Sequence, residues 1–177
     1  MSLSELQTYP FEYCEVLKAN DPDHYFKAVH VYKFNADENR YLVTFEEYQH
    51  NLYILHFCLE EHRDNDDKFN VLANIGPAKA KKVIATCVYI GLSIYKRNPL
   101  ASFVFTASPT IAELNKTDLT ETKRLFIYRH FAEFFFNAQD FIHSYSTAQN
   151  SYLILNKKYE QQEPEVVLKI NDMLKTN

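Results

Sequence analysis

The chain predicts an α+β fold in which helices pack on one mixed sheet. Three observations carry that reading. Aromatic and β-branched residues cluster in short runs joined by brief polar links over the first third of the chain. The apolar spacing then changes to a helical period over Lys79 to Arg97. After that helix, short apolar runs alternate with helical patterns, so one sheet accommodates every segment.

The elements follow in order. Residues 24–34 read as a strand because they are rich in aromatic and β-branched types. Asn35-Ala36-Asp37-Glu38-Asn39 is a polar turn. Arg40 to Tyr48 and Leu52 to Glu60 form two further strands joined by Gln49-His50-Asn51, and such short links favour an antiparallel meander. Residues 61–67 are a solvated loop, and Lys68 to Ala73 form a short fourth strand, expected beside 102–107. From Lys79 to Arg97, Val83, Cys87, Ile90 and Ile94 share a face with Ile84, Val88, Gly91 and Tyr95 beside them, giving a helix with a wide buried side. Asn98-Pro99 ends it, because the residue before proline is pushed out of the α region.

Ser102 to Ala107 is an apolar interior strand. Asp118, with Glu121 three residues on, reads as the cap of a second helix carrying Leu125, Tyr128, Phe131, Ala132 and Phe135. Ser151 to Lys158 close the sheet, and residues 165–175 add a tail helix packed by Val166, Val167, Ile170 and Leu174. No repeat or linker divides residues 1–177, whose core lies at about 24–158.

Composition excludes several classes of function. The net charge of −4 argues against a nucleic-acid binder, which carries a basic face. No run approaches the ~18 apolar residues of a membrane helix, and the first residues show no signal-peptide pattern. Three scattered cysteines, Cys14, Cys58 and Cys87, make neither a disulfide framework nor a CxxC site and point to a reduced, cytoplasmic setting. The seven histidines show no metal spacing, so no metal is expected, and no GxSxG, GxxxxGK[ST] or Cys/His nucleophile signature is present. Thirteen tyrosines and fourteen phenylalanines, without a tryptophan, fall mainly at apolar positions of the expected elements and read chiefly as core.

Only two glycines occur, and one stands in Asn74-Ile75-Gly76-Pro77-Ala78-Lys79-Ala80, at the mouth of the longest helix. A loop opening into a helix presents N–H groups and the positive end of a dipole, which is anion-binding geometry. The same segment also reads as a tight strand-to-helix connection with a solvated cluster at Lys79, Lys81 and Lys82.

In element order over residues 24–158, and in two segments, the chain resembles the GNAT superfamily of acyl-CoA-dependent N-acetyltransferases, in a reduced form like phage and mobile-element members. The segments are the 73–80 loop with its helix and Arg124-Leu125-Phe126-Ile127-Tyr128. Gly76 and Ala78 match the end of the superfamily's phosphate loop, Ala73 stands at its Arg/Gln position, and Pro77 removes one donor. The resemblance implies a GNAT-like mixed sheet, acetyl-CoA as cofactor and an amine acceptor. It implies that Asn74, Ile75, Gly76, Ala78, Lys79 and Ala80 cradle the pyrophosphate, and that Tyr128 protonates the leaving thiolate. Tyr128 also lies on the stripe with Phe131 and Phe135, which reads as core. The base is open among Glu60, Glu61, Asp66, Asp67 and His56. The missing Arg/Gln and Pro77 leave a second reading beside the enzyme: a non-catalytic, GNAT-like accessory protein of a phage or mobile element that binds and inhibits a protein partner.

Overall fold

A computed structural model describes residues 7–20, 26–66, 68, 75–107, 113 and 121–175. Among the described residues seven strands make one sheet: β1 (Phe11–Lys18), β2 (Ala28–Ala36), β3 (Asn39–Glu47), β4 (Leu52–Leu59), β5 (Ser102–Thr106), β6 (Phe141–Ser146) and β7 (Ser151–Asn156). Their spatial order is β1-β2-β3-β4-β5-β7-β6. Every neighbouring pair is antiparallel except β4 and β5, which run parallel. Three α-helices stand among the described residues: α1 (Gly76–Arg97), α2 (Lys123–Phe135) and α3 (Glu163–Lys175). The fold is α+β with a mixed sheet.

Strand alternation divides the core in two. Tyr32, Phe34, Tyr41, Val43, Phe45, Tyr53, Leu55, Phe103, Phe105 and Ile154 face α1 and α2. Leu52, Ile54, Val104, Leu153 and Leu155 face the other way, where Val166 and Ile170 of α3 cover them. Period-2 strands meet period-3.6 stripes on both faces, as burial of alternate residues requires.

Local chemistry sets the boundaries. α1 starts three residues before the expected Lys79, because Pro77 fits the first helical turn without losing a bond. At its other end the Asn98 N–H closes on the Ile94 carbonyl at 2.8 Å, and the Asn98 side chain donates to Asn51 Oδ1 and Tyr53 Oη at 2.9 and 3.2 Å. This ties the α1 C-terminus to the start of β4. α2 is capped by Thr122, whose hydroxyl accepts from the Leu125 N–H at 3.1 Å. The expected cap, Asp118, lies outside the described residues. The turns at Asp37, His50, Asn51 and Asn150 take positive φ at short polar residues, which tolerate it best.

Two strands go beyond the sequence reading. β1 is an edge strand exposed along almost its whole length, and β6 forms a hairpin with β7. The strand expected at 68–73 falls almost wholly outside the described residues. Its expected place beside 102–107 is corrected, since β4 and β7 hold the two sides of β5. No helix among the described residues is long and apolar enough to cross a membrane.

Candidate functional site

The parallel pair is short. β4 and β5 are in register from Leu52 and Ser102 to Leu55 and Phe105. β4 then continues through His56–Leu59, paired on its β3 side alone among the described residues. The carboxyl ends of parallel strands are a common place for a ligand.

The α1 N-terminus stands at this end of the sheet. Lys79 is ion-paired with Asp37 in the turn between β2 and β3, beside the point where β3 begins and β4 ends. α1 begins without a side-chain cap and without an acidic residue in its first turn. Ile75, Gly76 and Ala78 carry the N–H groups outside the helical ladder, whereas those of Lys79 and Ala80 lie within it. Gly76 has φ +74, and a Cβ built there meets nothing within 4 Å. Glycine is required by the backbone conformation, and the space beside it is open. Lys82 sits over the Tyr9 ring at 4.1 Å, and Lys81 is an exposed cation of this turn with no ion pair among the described residues. Asn74 lies outside the described residues.

Below the end of the β4–β5 pairing, between α1, α2 and the sheet, Tyr41, Cys87, Arg124 and Tyr128 form a buried polar cluster; the sequence singles out Tyr128 but not the convergence of the four. Tyr41, Cys87 and Tyr128 are completely buried, and Arg124 is 4% exposed with its guanidinium 6.0 Å from the centre of the Phe57 ring. The Tyr128 ring stacks on Phe105, the last β5 residue paired with β4, with centroids 5.3 Å apart. The Tyr41 and Tyr128 hydroxyls have no hydrogen-bond partner among the described residues. Burial pushes the Tyr128 hydroxyl well above its ordinary range, helped by Cys87 and opposed by the Arg124 charge. Burial likewise pushes Tyr41 up to about 12, with Cys87 and Tyr9 adding to it. Both phenols are therefore protonated at neutral pH. A buried hydroxyl without a partner costs about 1–3 kcal/mol.

On the opposite face, His56 stands one residue past the last β4–β5 pair. Its Nε2 lies 3.5 Å from Glu46 Oε2, which also accepts from the Tyr48 hydroxyl at 2.8 Å. Burial pushes the Glu46 carboxyl up, but the hydrogen bonds from His56 and Tyr48 and the His56 charge outweigh it and hold the group below its usual range. The result is an imidazole positioned by an ionised carboxylate. The other candidate bases are occupied or peripheral. Glu60 is held by Lys33 and Arg40, Glu61 is exposed beside His62, Asp66 is exposed, and Asp67 lies outside the described residues.

The structure places the two halves of the expected site differently: Gly76 to Lys79 are exposed at the helix mouth, whereas Tyr128 is completely buried in the core against Phe105, as its place on the stripe with Phe131 predicts. Eleven residues of α1 separate Gly76 from Cys87, a rise of about 16 Å. Among the described residues no group of His, Cys, Asp and Glu could hold a metal ion. Comparison of the chain with protein-family models, with curated proteins and with solved structures finds no match.

Proposed function

We propose that the protein is an acyl-CoA-dependent N-acyltransferase of GNAT type. The observation that carries this reading is the end of the β4–β5 pairing at Leu55 and Phe105, between an uncapped helix mouth and two buried hydroxyls without partners among the described residues. When bound, acetyl-CoA supplies an acyl group activated as a thioester. The N–H groups of Ile75, Gly76 and Ala78 and the charge of Lys81 suit its pyrophosphate, since a helix N-terminus favours anions. The buried hydroxyls suit the sulfur end. Tyr128 keeps its proton on Oη at neutral pH and would be the proton donor for the sulfur end if the ligand opened a way to this buried hydroxyl. His56, oriented by Glu46 on the other face of the sheet, would in its neutral form accept the proton of the acceptor amine.

Calorimetry with acetyl-CoA tests the reading. A micromolar constant corresponds to about 8 kcal/mol, and ligand at ~100 times that constant stabilises the fold by about 2.7 kcal/mol. Gly76→Asp is expected to abolish binding through charge. The positive φ adds a backbone cost of about 1–2 kcal/mol, smaller for Asp and Asn than for other side chains. Gly76→Asn carries the same strain without the charge and is expected to retain binding. Absence of both heat and thermal shift with the unmutated protein would overturn the cofactor reading.

A second reading, a non-catalytic protein-binding module, has one observation of its own. β1 exposes Tyr13, Val16 and Leu17 by 40–51% along an outer strand, an arrangement suited to a protein partner. It takes over if acetyl-CoA fails to bind.

A further inference from the structure

Among the described residues the sheet ends on β1 and on β6, and the two edges differ in how they are guarded. β1 carries a bulge between Tyr13 and Glu15 and the charges of Glu12, Glu15 and Lys18. Bulges and charges are the usual means of keeping an edge strand from pairing with another chain. β6, Phe141-Ile142-His143-Ser144-Tyr145-Ser146, has neither Asp, Glu, Lys, Arg nor proline, and its register with β7 runs without a bulge. We propose that β6 is the interface of a homodimer, pairing antiparallel with β6 of a second copy so that the two sheets join edge to edge.

Backbone geometry identifies the groups available for this. Lys157 donates to the Asp140 carbonyl at 2.9 Å, which makes 140 and 157 a bonded pair of the β6–β7 ladder. Bonded pairs alternate along an antiparallel ladder. Ile142 and Ser144 therefore point their backbone groups at β7, while Phe141, His143 and Tyr145 turn theirs outward. Phe141 fits this pattern, because its N–H donates away from β7 to the Asn137 carbonyl at 3.1 Å. The Phe141 carbonyl and both groups of His143 and Tyr145 have no backbone partner among the described residues.

A two-fold axis through His143 matches these groups to themselves. The His143 N–H and C=O exchange bonds with His143 of the partner subunit. The Tyr145 N–H donates to the carbonyl of Phe141 of the partner subunit, and the reverse. The Tyr145 carbonyl is left at the rim, where water serves it. In this register Tyr145 lies across from Phe141 of the partner subunit on one face, an aromatic cross-strand pair, and Ile142 across from Ser144 on the other. No like charges are brought together. The same operation on β1 would bring the acidic Glu12 and Glu15 of two copies into one edge. Beside β6, Arg129 lies between the exposed rings of Phe126 and Tyr145, at 5.6 and 5.4 Å from their centres, and pairs with Glu121 at 3.4 Å. Exposed aromatics around an arginine are the composition of interface anchors.

Sedimentation velocity on the full chain, with hydrogen exchange over a dilution series, tests the proposal. A dimer is expected, with the amides of His143 and Tyr145 slow to exchange when it is populated and fast after dilution. Tyr145→Lys is expected to give a monomer of unchanged circular dichroism, and Val16→Lys on β1 to leave the dimer intact. A monomer at every concentration overturns the proposal. So does a dimer in which the His143 and Tyr145 amides exchange fast, or one lost in Val16→Lys and kept in Tyr145→Lys.

Discussion

Tyr128→Phe is expected to lower acetyl transfer by about 10²–10⁴ while leaving the protein as stable as before or more so. The two effects separate because of the state of one oxygen. Tyr128 Oη is buried without a partner among the described residues, so folding desolvates it with nothing in return. Removing it relieves a penalty of about 1–3 kcal/mol, and the ring keeps its stack on Phe105. Had the hydroxyl been bonded within the core, the same change would cost about 0.5–1.5 kcal/mol. Steady-state acetyl transfer to a panel of amines and urea midpoints read the two quantities independently. Full activity in the Phe variant would remove Tyr128 from the mechanism, and a clear loss of stability would mean that the hydroxyl has a partner after all.

The largest stability effect is expected at Phe103. Its ring is completely buried and lies 5.2–6.4 Å from the rings of Phe45, Tyr53, Phe105 and Phe136. Those neighbours belong to β3, β4, β5 and the end of α2, so Phe103 is the point where the meander, the parallel pair and the helix layer meet. Phe103→Ala is expected to cost about 3–5 kcal/mol, combining lost burial with the cavity left among rigid rings. For a chain of this size that corresponds to a melting temperature lower by roughly 6–20 °C. Urea denaturation measures it directly. A cost below about 1.5 kcal/mol, the level of tolerated volume-conserving swaps, would show that the aromatic cluster collapses around the gap.

The parts of the fold that show in the sequence are those that burial constrains. β3 alternates between buried and wetter positions, β4, β5 and β7 are near-continuous apolar runs buried on both faces, and α1 carries a helical apolar stripe. β1 has no such signature, since nearly all of Phe11 to Lys18 is exposed and only pairing with β2 defines it. β6 is similar, with apolar residues at its start and hydroxyl residues after them. The helix mouth at Gly76 was legible because the residue itself signals its backbone. The stripe holding Tyr128 was also legible. That Tyr128 would share the fields of Arg124 and Cys87 with Tyr41 was not, because those residues come from three elements whose convergence is tertiary. His56 could be named as a candidate base, but its orientation depends on Glu46, a cross-strand neighbour that no local spacing ties to it.

The single parallel pair also bears on how the chain reaches this fold. Glu47 and Tyr53 of the β3–β4 hairpin pair across six positions, whereas Leu52 and Ser102 pair across fifty with all of α1 between them. Closing the longer loop costs about 2 kcal/mol more in chain entropy, and that cost falls due before any β5 contact repays it. The meander is therefore expected to be assembled in the folding transition state, with β5 docking onto it afterwards. Rates for Val43→Ala in β3 and Val104→Ala in β5, both fully buried, read the order. The first should slow folding and the second should mainly speed unfolding; the opposite partition would mean that the parallel seam is the nucleus.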